Sequence, residues 1–359
     1  MDEIVGLKNL TKNIKRNLKN RKDVLVFAFN ATGKTRMSRQ FDNSEELIQS
    51  ICYNAIVEDY FSWDNEKMIL FIAKNTWLLD LIKDEGLDGE IISIFENFTE
   101  DRIDPIINSE TGEVRFQIIN EKSEKEYIKI SKGEETLFKW SVFYAALKNG
   151  LDILNEKPEN RSTDEFNNLE YIVIDDPISS LDEFKIYTLS TQIIELMKFV
   201  HEKKIKVSFL ISTHHTMFYN ILYNTMNRRN KDRKRKSLFY VMRKENSTIY
   251  AKLLNEQGLL AYHIQSLLEI KKAFENNTVK KNHYNMFRSV LEKSSIFLGY
   301  SKWKDLFNKY KDKDVFSKVI NMNSHERYVD IETEYITQEQ INVFKGGFDY
   351  FIEKFNIKL

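Results

Sequence analysis

The chain has 359 residues with 54 basic and 54 acidic side chains, and 42% of its residues are hydrophobic. This length can bury one large core or one large and one smaller domain, and the composition is that of a globular protein rather than a disordered one. The balanced charge excludes a global field that would attract nucleic acid or a membrane. The single cysteine, Cys52, excludes a disulfide framework and a cysteine metal site. No apolar run has the length of a bilayer span, so we expect a cytoplasmic protein without a membrane partner.

The first predicted elements are a helix and a buried strand. Residues 4–20 have leucine and isoleucine at helical spacing with lysines between them, which indicates a basic amphipathic helix. We interpret it as a helix packed on a sheet, with an RNA-contacting arm as the alternative. The apolar run 24–27 follows and has the length of a buried strand.

A phosphate cradle is predicted next, in the sequence FAFNATGKT of residues 27–35. A tight loop before a helix points N–H groups at an anion, while a lysine reaches the outer phosphates and a threonine hydroxyl holds Mg²⁺. Ala28 and Ala31 replace glycines of the usual pattern, and the fragment GKT alone is common by chance. A helix is expected to open over 36–39. The candidate nucleotide-binding residues are Asn30, Ala31, Thr32, Gly33, Lys34, Thr35 and Arg36, with Thr35 also a magnesium ligand.

Each of the next two segments, taken alone, is explained by secondary structure without a functional role. Residues 103–119 alternate in hydrophobicity around a turn at 108–112, which predicts a hairpin. Ser131 and Gly133 precede a helical run over 136–151. They can present a hydroxyl and N–H groups to an anion, but this pattern is also that of an ordinary helix cap.

Polar residues then follow two predicted buried strands. The predicted strand 169–176 ends in Asp175 and Asp176, where one carboxylate can hold the magnesium of a nucleotide and the second can orient a water. Asp182 precedes a helix that begins near residue 183. A second strand, 207–213, ends at His214, and ligands of open α/β sheets bind at such carboxyl ends. The predicted magnesium ligands are therefore Thr35 and Asp175.

In this order the motifs resemble the nucleotide-binding domain of ABC-type ATPases, the group that includes the SMC and Rad50 proteins. The resemblance implies an α/β ABC-type P-loop ATPase domain over residues 1–260 that binds ATP or GTP, with dTTP as a further option, together with Mg²⁺. It also implies a homodimer or higher homo-oligomer in which Ser131 faces the partner's γ-phosphate. Asp176 stands where the family usually has glutamate, which implies slow hydrolysis. No convincing glutamine is found for the loop that usually contacts Mg²⁺.

A dense basic segment, NRRNKDRKRK, spans residues 227–236. One interpretation of this segment is a solvated loop. The other is a surface that binds the phosphate backbone of RNA or DNA, with an affinity that depends on salt concentration and not on sequence. The candidate RNA-binding residues are Arg228, Arg229, Arg233, Lys234, Arg235 and Lys236.

The remaining residues, 261–359, show helical periodicity, and we expect a helical C-terminal domain. The predicted helices span residues 260–274, 283–297, 302–310, 316–322 and 338–355. Arg288 and Glu292 lie four residues apart, which by itself indicates an ion pair in the less favourable orientation. A lone histidine such as His325 is more often structural. Together, however, these three residue types can cleave RNA without a metal. The 2′-hydroxyl attacks the neighbouring phosphate while one group accepts a proton, another donates one and a cation stabilises the transition state.

This tail behind this ATPase resembles the PrrC-type anticodon nucleases, whose tail carries Arg-x-x-x-Glu and then a histidine some thirty residues on. The resemblance implies a tRNA anticodon-loop endoribonuclease that acts as an antiviral toxin and leaves 2′,3′-cyclic phosphate and 5′-OH ends, with no metal at the nuclease site. It implies that His325 is the general acid or base, Glu292 its counterpart and Arg288 the phosphate clamp. The ATPase domain would keep the nuclease silent, with a DNA restriction-modification complex as the silencing partner.

A reading from another class stays open. The chain can be an ABC-type regulatory or DNA-sensing module of a defence system without its own nuclease, with a tail that serves docking or dimerisation. A DNA nuclease is weaker, because no metal-nuclease cluster stands apart from the ATPase motifs.

Overall fold

The computed structural model describes residues 3–29, 31–41, 48–99, 103–119, 124–178, 181–231, 236–245, 247–254, 262–324 and 336–357. The chain divides into two compact units, Met1–Leu259 and Leu260–Leu359. In the described part of the chain, no helix is both long and apolar enough to cross a membrane.

Strands of the first unit form two sheets. In chain order the described strands are β1 (Ile4–Val5), β2 (Asp23–Ala28), β3 (Ser50–Cys52), β4 (Phe61–Asp64), β5 (Ile69–Ile72), β6 (Asp104–Asn108), β7 (Glu113–Ile119), β8 (Lys125–Ile128), β9 (Tyr171–Asp175), β10 (Ser208–Thr213), β11 (Ser237–Glu245) and β12 (Thr248–Leu253).

Helices flank these sheets. They are α1 (Leu7–Lys19), α2 (Lys34–Ser38), α3 (Tyr53–Asp59), α4 (Trp77–Asp84), α5 (Asp88–Thr99), α6 (Lys132–Asn155), α7 (Glu183–Glu202) and α8 (Thr216–Lys231), with short 3-10 turns at Arg39–Phe41 and Pro158–Asn160.

The larger sheet has the strand order β1-β12-β11-β2-β10-β9-β3. Its five strands from β11 to β3 run parallel. At one edge β12 pairs with β11 in antiparallel orientation, and β1 pairs with β12 in antiparallel orientation. Every residue of β2, β9 and β10 is buried, as expected for parallel strands covered on both faces. Because parallel strands end at the same edge, the residues after β2, β3, β9 and β10 meet there.

The smaller sheet has the order β4-β5-β7-β6, and β8 also pairs with β7. Its strands are antiparallel. The hairpin predicted over 103–119 is present as β6 and β7. Its turn ends at Gly112, whose φ of 74° is in the left-handed region that favours glycine.

The second unit is helical, as predicted. Its described helices are α9 (Tyr262–Glu275), α10 (Lys281–Phe297), α11 (Lys313–Ser324) and α12 (Gln338–Lys354), with a 3-10 turn at Trp303–Phe307. Phe287, Phe316 and Phe344 are fully buried at its centre. A methyl group on Gly347 of α12 would overlap the Phe316 ring, so α11 and α12 approach closely only because that residue is glycine.

Three local predictions were wrong. The helix after the cradle begins at Lys34 rather than Arg36, and Ala28 is the last residue of β2 rather than part of the loop. A solvated loop is one of the two readings of the basic segment, but its first five residues, 227–231, belong to α8. The helix expected over 302–310 is a short 3-10 turn. The first two differences lie at element ends, where sequence patterns place boundaries poorly.

Candidate functional site: a nucleotide cradle and an arginine–glutamate pair

The cradle joins β2 to α2. Gly33 precedes the helix with φ of 103°, and Ala31 has φ of 61°, a conformation that costs energy for a residue with a Cβ. The Thr32 hydroxyl donates to the Phe29 carbonyl at 2.6 Å, and Lys34 Nζ donates to the Ala28 carbonyl at 3.0 Å. The loop is thus folded around the lysine. The predicted Asn30 lies outside the described residues.

Asp175 ends β9 beside the cradle and is almost fully buried. Thr35 Oγ1 donates to its Oδ2 at 2.9 Å, and Ser212 of β10 donates to its Oδ1. Burial raises the pKa of Asp175, and the two hydroxyl hydrogen bonds oppose that rise. The predicted magnesium ligands Thr35 and Asp175 therefore lie side by side.

Sequence reasoning missed a third polar group here, Asn54. It follows β3, the strand next to β9, and its Nδ2 donates to Asp175 Oδ2 at 3.2 Å. A hydroxyl, a carboxylate and an amide are oxygen donors of the kind that Mg²⁺ prefers, so these residues fit the ion. Thr35 and Asp175 would hold it and Asn54 would orient the carboxylate. A bound Mg²⁺ would neutralise charge on nucleotide phosphates.

Asp176 has φ of 50° and turns back toward the cradle. Its carboxylate contacts His214 Nδ1 and lies 3.6 Å from Lys34 Nζ. Burial alone would raise the pKa of Asp176, but the hydrogen bond and charge of His214, followed by the charge of Lys34, outweigh it and hold the pKa below its ordinary value. The phosphates of a nucleotide would therefore compete with Asp176 for Lys34.

A cavity of about 350 Å³ opens above the cradle. Two of its lining residues, Lys244 and Ile249, were not predicted. They face each other across the β11–β12 hairpin, and Ile249 Cδ1 would lie 3.1 Å from a Cβ on Gly33. Among the described lining residues, three side chains are basic and one is acidic. Its described lining residues are Ala31, Thr32, Gly33, Lys34, Thr35, Arg36, Asp176, Lys244 and Ile249.

Other predicted nucleotide-binding residues act as helix caps in this single chain. Ser131 Oγ accepts from Glu134 N at 3.3 Å, and Ser131 N donates to Glu134 Oε2 at 2.7 Å, which forms a capping box at α6. Gly133 lies in the first turn of that helix. Asp182 caps α7 by accepting from Lys185 N at 3.0 Å. Ser131, Gly133 and Asp182 are not among the described residues that line the cavity.

Only part of the basic segment is described. Arg228 is an exposed residue on α8, and Lys236 is an exposed residue directly before β11. Arg229 lies on the same helix, although its side chain is outside the described set. Arg233, Lys234 and Arg235 lie outside the described residues.

The second unit brings together two of the three predicted catalytic residues. Arg288 Nε donates to Glu292 Oε1 at 2.8 Å on α10, and Arg288 Nη1 donates to Asn321 Oδ1 on α11 at 3.1 Å. The Arg288 side chain is 21% exposed and that of Glu292 47%, so solvent reaches the pair. His325 lies outside the described residues, directly after α11 ends at Ser324. Sequence reasoning missed Asn321.

A cradle, a carboxylate strand and a histidine at one edge of a mostly parallel sheet define a P-loop ATPase fold, as predicted. A family model described as an AAA domain matches residues 107–349. The anticodon nuclease of Escherichia coli is 34% identical over 333 residues, an alignment that covers 84% of this chain and 81% of that protein. The chain therefore belongs to the anticodon nuclease family, which confirms the family predicted from the cradle and the tail.

One solved structure is also similar, the SmcHead bound to the C-winged helix domain of ScpA. It has a TM-score of 0.34 and 9% identity, over 66% of this chain and 90% of that chain.

Proposed function

We propose that this protein is an endoribonuclease that cuts tRNA in the anticodon loop. The observation that carries the proposal is the solvent-accessible Arg288–Glu292 pair in the helical unit of a chain that is 34% identical to an anticodon nuclease. A guanidinium next to a carboxylate offers a phosphate clamp and a proton acceptor within one helical turn.

The reaction uses the ribose 2′-hydroxyl as nucleophile. Either Glu292 or His325 removes its proton, the 2′-oxygen bonds to the adjacent phosphorus, and the bond from phosphorus to the 5′-oxygen breaks. The other residue gives a proton to the leaving 5′-oxygen, while Arg288 stabilises the charge on the phosphate. The products are a 2′,3′-cyclic phosphate and a 5′-OH end, and every proton transfer is assigned to a side chain without a metal ion.

The first unit would control this reaction by binding ATP, GTP or dTTP with Mg²⁺ at the cradle. The support is the adjacency of Thr35 and Asp175 and the basic cavity above them. A homodimer in which Ser131 of one subunit meets the nucleotide of the other is part of this proposal. Phe184, two residues after the Asp182 cap, is 67% exposed, which suits a residue at such an interface. The side chain of Asp176 is shorter than the glutamate that ABC-type ATPases usually have at this position, so it would reach less far toward the attacking water and hydrolysis would be slow.

In the cell this activity would act as an antiviral toxin. A DNA restriction-modification complex would hold the nuclease silent, and the basic residues around Arg228 would add contacts to the RNA backbone.

The test is to express the chain and map the ends of cellular RNA. Discrete breaks at one anticodon that persist in chelator-treated extracts and end in cyclic phosphate are expected for the wild type. His325→Ala should abolish them while nucleotide binding persists, and His263→Ala on α9 is the matched control. Intact tRNA despite competent nucleotide binding would instead favour a regulatory or DNA-sensing module.

A further inference from the structure

Basic side chains lie exposed at the amino ends of three neighbouring strands of the larger sheet. β11, β2 and β10 are adjacent and parallel, so the segments that precede them meet at one edge, opposite the nucleotide cradle. Since neighbouring strands lie about 4.8 Å apart, the first residues of the three strands are within roughly 10 Å of one another. We name the exposed basic residues that precede these strands the amino-edge patch, which consists of Lys19, Arg21, Lys203, Lys204, Lys206 and Lys236.

Little acidic charge offsets the amino-edge patch. Residues 19–22, 202–207 and 236 contain seven basic side chains, of which Lys22 is half-buried, and one acidic side chain, Glu202. Asp23 begins β2, but it is fully buried and its Oδ2 lies 2.9 Å from His201 Nε2, so it faces the interior. Acidic residues on flanking segments include Glu170 before β9, Asp152, which interacts electrostatically with Lys203, and Asp232, which lies outside the described residues. All patch residues except Lys203 have no ion-pair partner among the residues that the structure describes.

Two residues of the patch occupy backbone positions where glycine is the usual residue. Arg21 has φ of 54° and Lys204 has φ of 58°, both in the left-handed region. At the end of α1 the N–H groups of Arg21 and Lys22 donate to carbonyls of the last helical turn, and at the end of α7 those of Lys204 and Ile205 do the same. Both helices therefore end in a Schellman motif, with a basic residue at the left-handed position.

The helix dipole offers a structural explanation for these basic residues, because cations are favoured at a helix C-terminus. For an exposed side chain, however, that gain is smaller than the cost of the left-handed conformation to a residue with a Cβ. Glycine at positions 21 and 204 would therefore give the more stable fold. The dipole also does not account for Lys206 and Lys236, which directly precede strands. The charge of the patch thus points to a ligand.

The composition of the patch fits the phosphate backbone of a base-paired stem. Residues 19–22, 202–207 and 236 contain no aromatic side chain. Surfaces that bind single-stranded nucleic acid stack bases on aromatic rings, and protein interfaces depend on aromatic and apolar anchors. A duplex hides its bases and presents phosphates, which lysine and arginine bind without reading the sequence.

We infer that the amino-edge patch binds the backbone of the base-paired stem of the RNA substrate. This inference rests on the proposed function, because a tRNA anticodon loop is closed by a paired stem and the duplex that accompanies the cut loop is therefore RNA. The patch supplies affinity that depends on salt concentration, whereas Arg288 and Glu292 belong to the proposed cleavage site.

The experiment uses Arg21→Gly/Lys204→Gly in the full chain. Glycine removes both charges and suits both φ angles, so the variant should fold with a Tm equal to or above that of the wild type. The probe is an RNA stem-loop whose loop riboses are 2′-O-methylated, which removes the nucleophile and prevents cleavage. Fluorescence anisotropy between about 50 and about 200 mM salt measures Kd. The variant should raise Kd at low salt at least about threefold and reduce the slope of log Kd against log salt by about 1.4–1.8, which is about 0.7–0.9 for each lost phosphate contact.

Two variants separate the backbone change from the loss of charge. Met68→Gly changes a residue that is also left-handed, with φ of 53°, and exposed but neutral. Lys67→Gln/Lys74→Gln removes two exposed lysines elsewhere in the same unit. Both should keep the wild-type Kd and slope. Arg21→Lys/Lys204→Arg keeps both charges and should bind RNA as the wild type does.

The other outcomes overturn the inference in distinct ways. A lower Tm with unchanged Kd and slope in the glycine variant would assign Arg21 and Lys204 to helix capping alone. If the variant loses affinity for a DNA hairpin of the same sequence or for phosphatidylserine vesicles but not for RNA, that ligand is the occupant. Cleavage of the unmodified stem-loop is measured separately. A wild type that cuts no RNA rejects the proposed function, and the RNA Kd and slope then still decide whether the patch binds an RNA stem.

Discussion

Arg288 on α10 donates a hydrogen bond to Asn321 on α11 at 3.1 Å, across 33 residues of sequence. The same guanidinium donates to Glu292 at 2.8 Å. Asn321 therefore sets the direction of Arg288 relative to Glu292, and it lies on the helix that leads to His325. Its position makes it a positioning residue for the proposed clamp.

We expect Asn321→Ala to lower kcat for RNA cleavage by about tenfold or more, because a hydrogen bond to a charged group contributes about 1.5–3 kcal/mol. Asn321→Asp keeps an acceptor and should restore most of the activity. Steady-state kinetics on a stem-loop RNA measure both. Asn323→Ala on the same helix is the control, because Asn323 bonds only locally to Val319 O among the contacts described for it. Equal losses in the Asn321 and Asn323 variants would contradict this role.

We expect Gly347→Ala to destabilise the helical unit by about 1–3 kcal/mol, since the added methyl group overlaps the Phe316 ring. Phe316 lies on α11, so cleavage should fall as well. Calorimetry of the full chain measures the unfolding transition. Gly89→Ala in α5, where a Cβ meets nothing within 4 Å, is the control and should be neutral or stabilising by up to about 1 kcal/mol. A neutral Gly347→Ala would show that α11 and α12 separate easily.

The sequence predicts the cradle and the carboxylate strand because buried parallel strands are apolar runs that end at polar residues. It does not predict Asn54, since β3 has only three residues and its place beside β9 depends on pairing across 121 residues of chain. Lys244 is missed for a similar reason. It lies near a hairpin turn, and only the parallel pairing of β11 with β2 brings that turn over the cradle.

In the helical unit the helices follow from periodicity, but their packing does not. Asn321 reaches Arg288 because α10 and α11 are joined through Phe287 and Phe316, whose ring centroids are 6.3 Å apart. Packing of this kind depends on the shape of side chains that are distant in sequence, which a hydrophobic pattern does not encode. The Arg288–Glu292 pair is visible in the sequence because its members are one helical turn apart.

Lys244→Ala should weaken binding of Mg-nucleotide about three- to tenfold by removing one of three basic side chains from the cavity, whereas Lys244→Arg should preserve binding. Isothermal titration calorimetry at low salt measures the affinities. Lys252→Ala is the matched control, since Lys252 is an exposed lysine on β12 that is not among the cavity-lining residues described. If Lys244→Ala binds the nucleotide with the same affinity as the wild type, the β11–β12 hairpin does not contribute to nucleotide binding.

In protein that is free of both nucleotide and magnesium, neutralising Asp175 and neutralising Asp176 should change the stability in opposite directions. The pKa of Asp175 is raised, chiefly by burial, so its ionised form is disfavoured in the folded state and Asp175→Asn should raise the Tm at pH 7. That gain should shrink as pH falls through the raised pKa, because Asp175 then becomes neutral itself. The pKa of Asp176 is lowered because His214 and Lys34 outweigh burial, so Asp176→Asn should lower the Tm at pH 7.

The stability from Asp176 is present above the pKa of an unfolded aspartate, about 3.9, and is lost as pH falls through its lower folded pKa. The lower Tm of Asp176→Asn relative to the wild type should therefore persist from pH 7 down to about pH 4 and disappear only below it. The higher Tm of Asp175→Asn should already begin to decline above pH 4. Thermal denaturation of both variants and the wild type between pH 3.5 and 7.5 measures these curves. Shifts of the same sign at pH 7 would contradict the opposite environments of the two carboxylates, which follow from the burial of Asp175 and the contacts of Asp176 with Lys34 and His214.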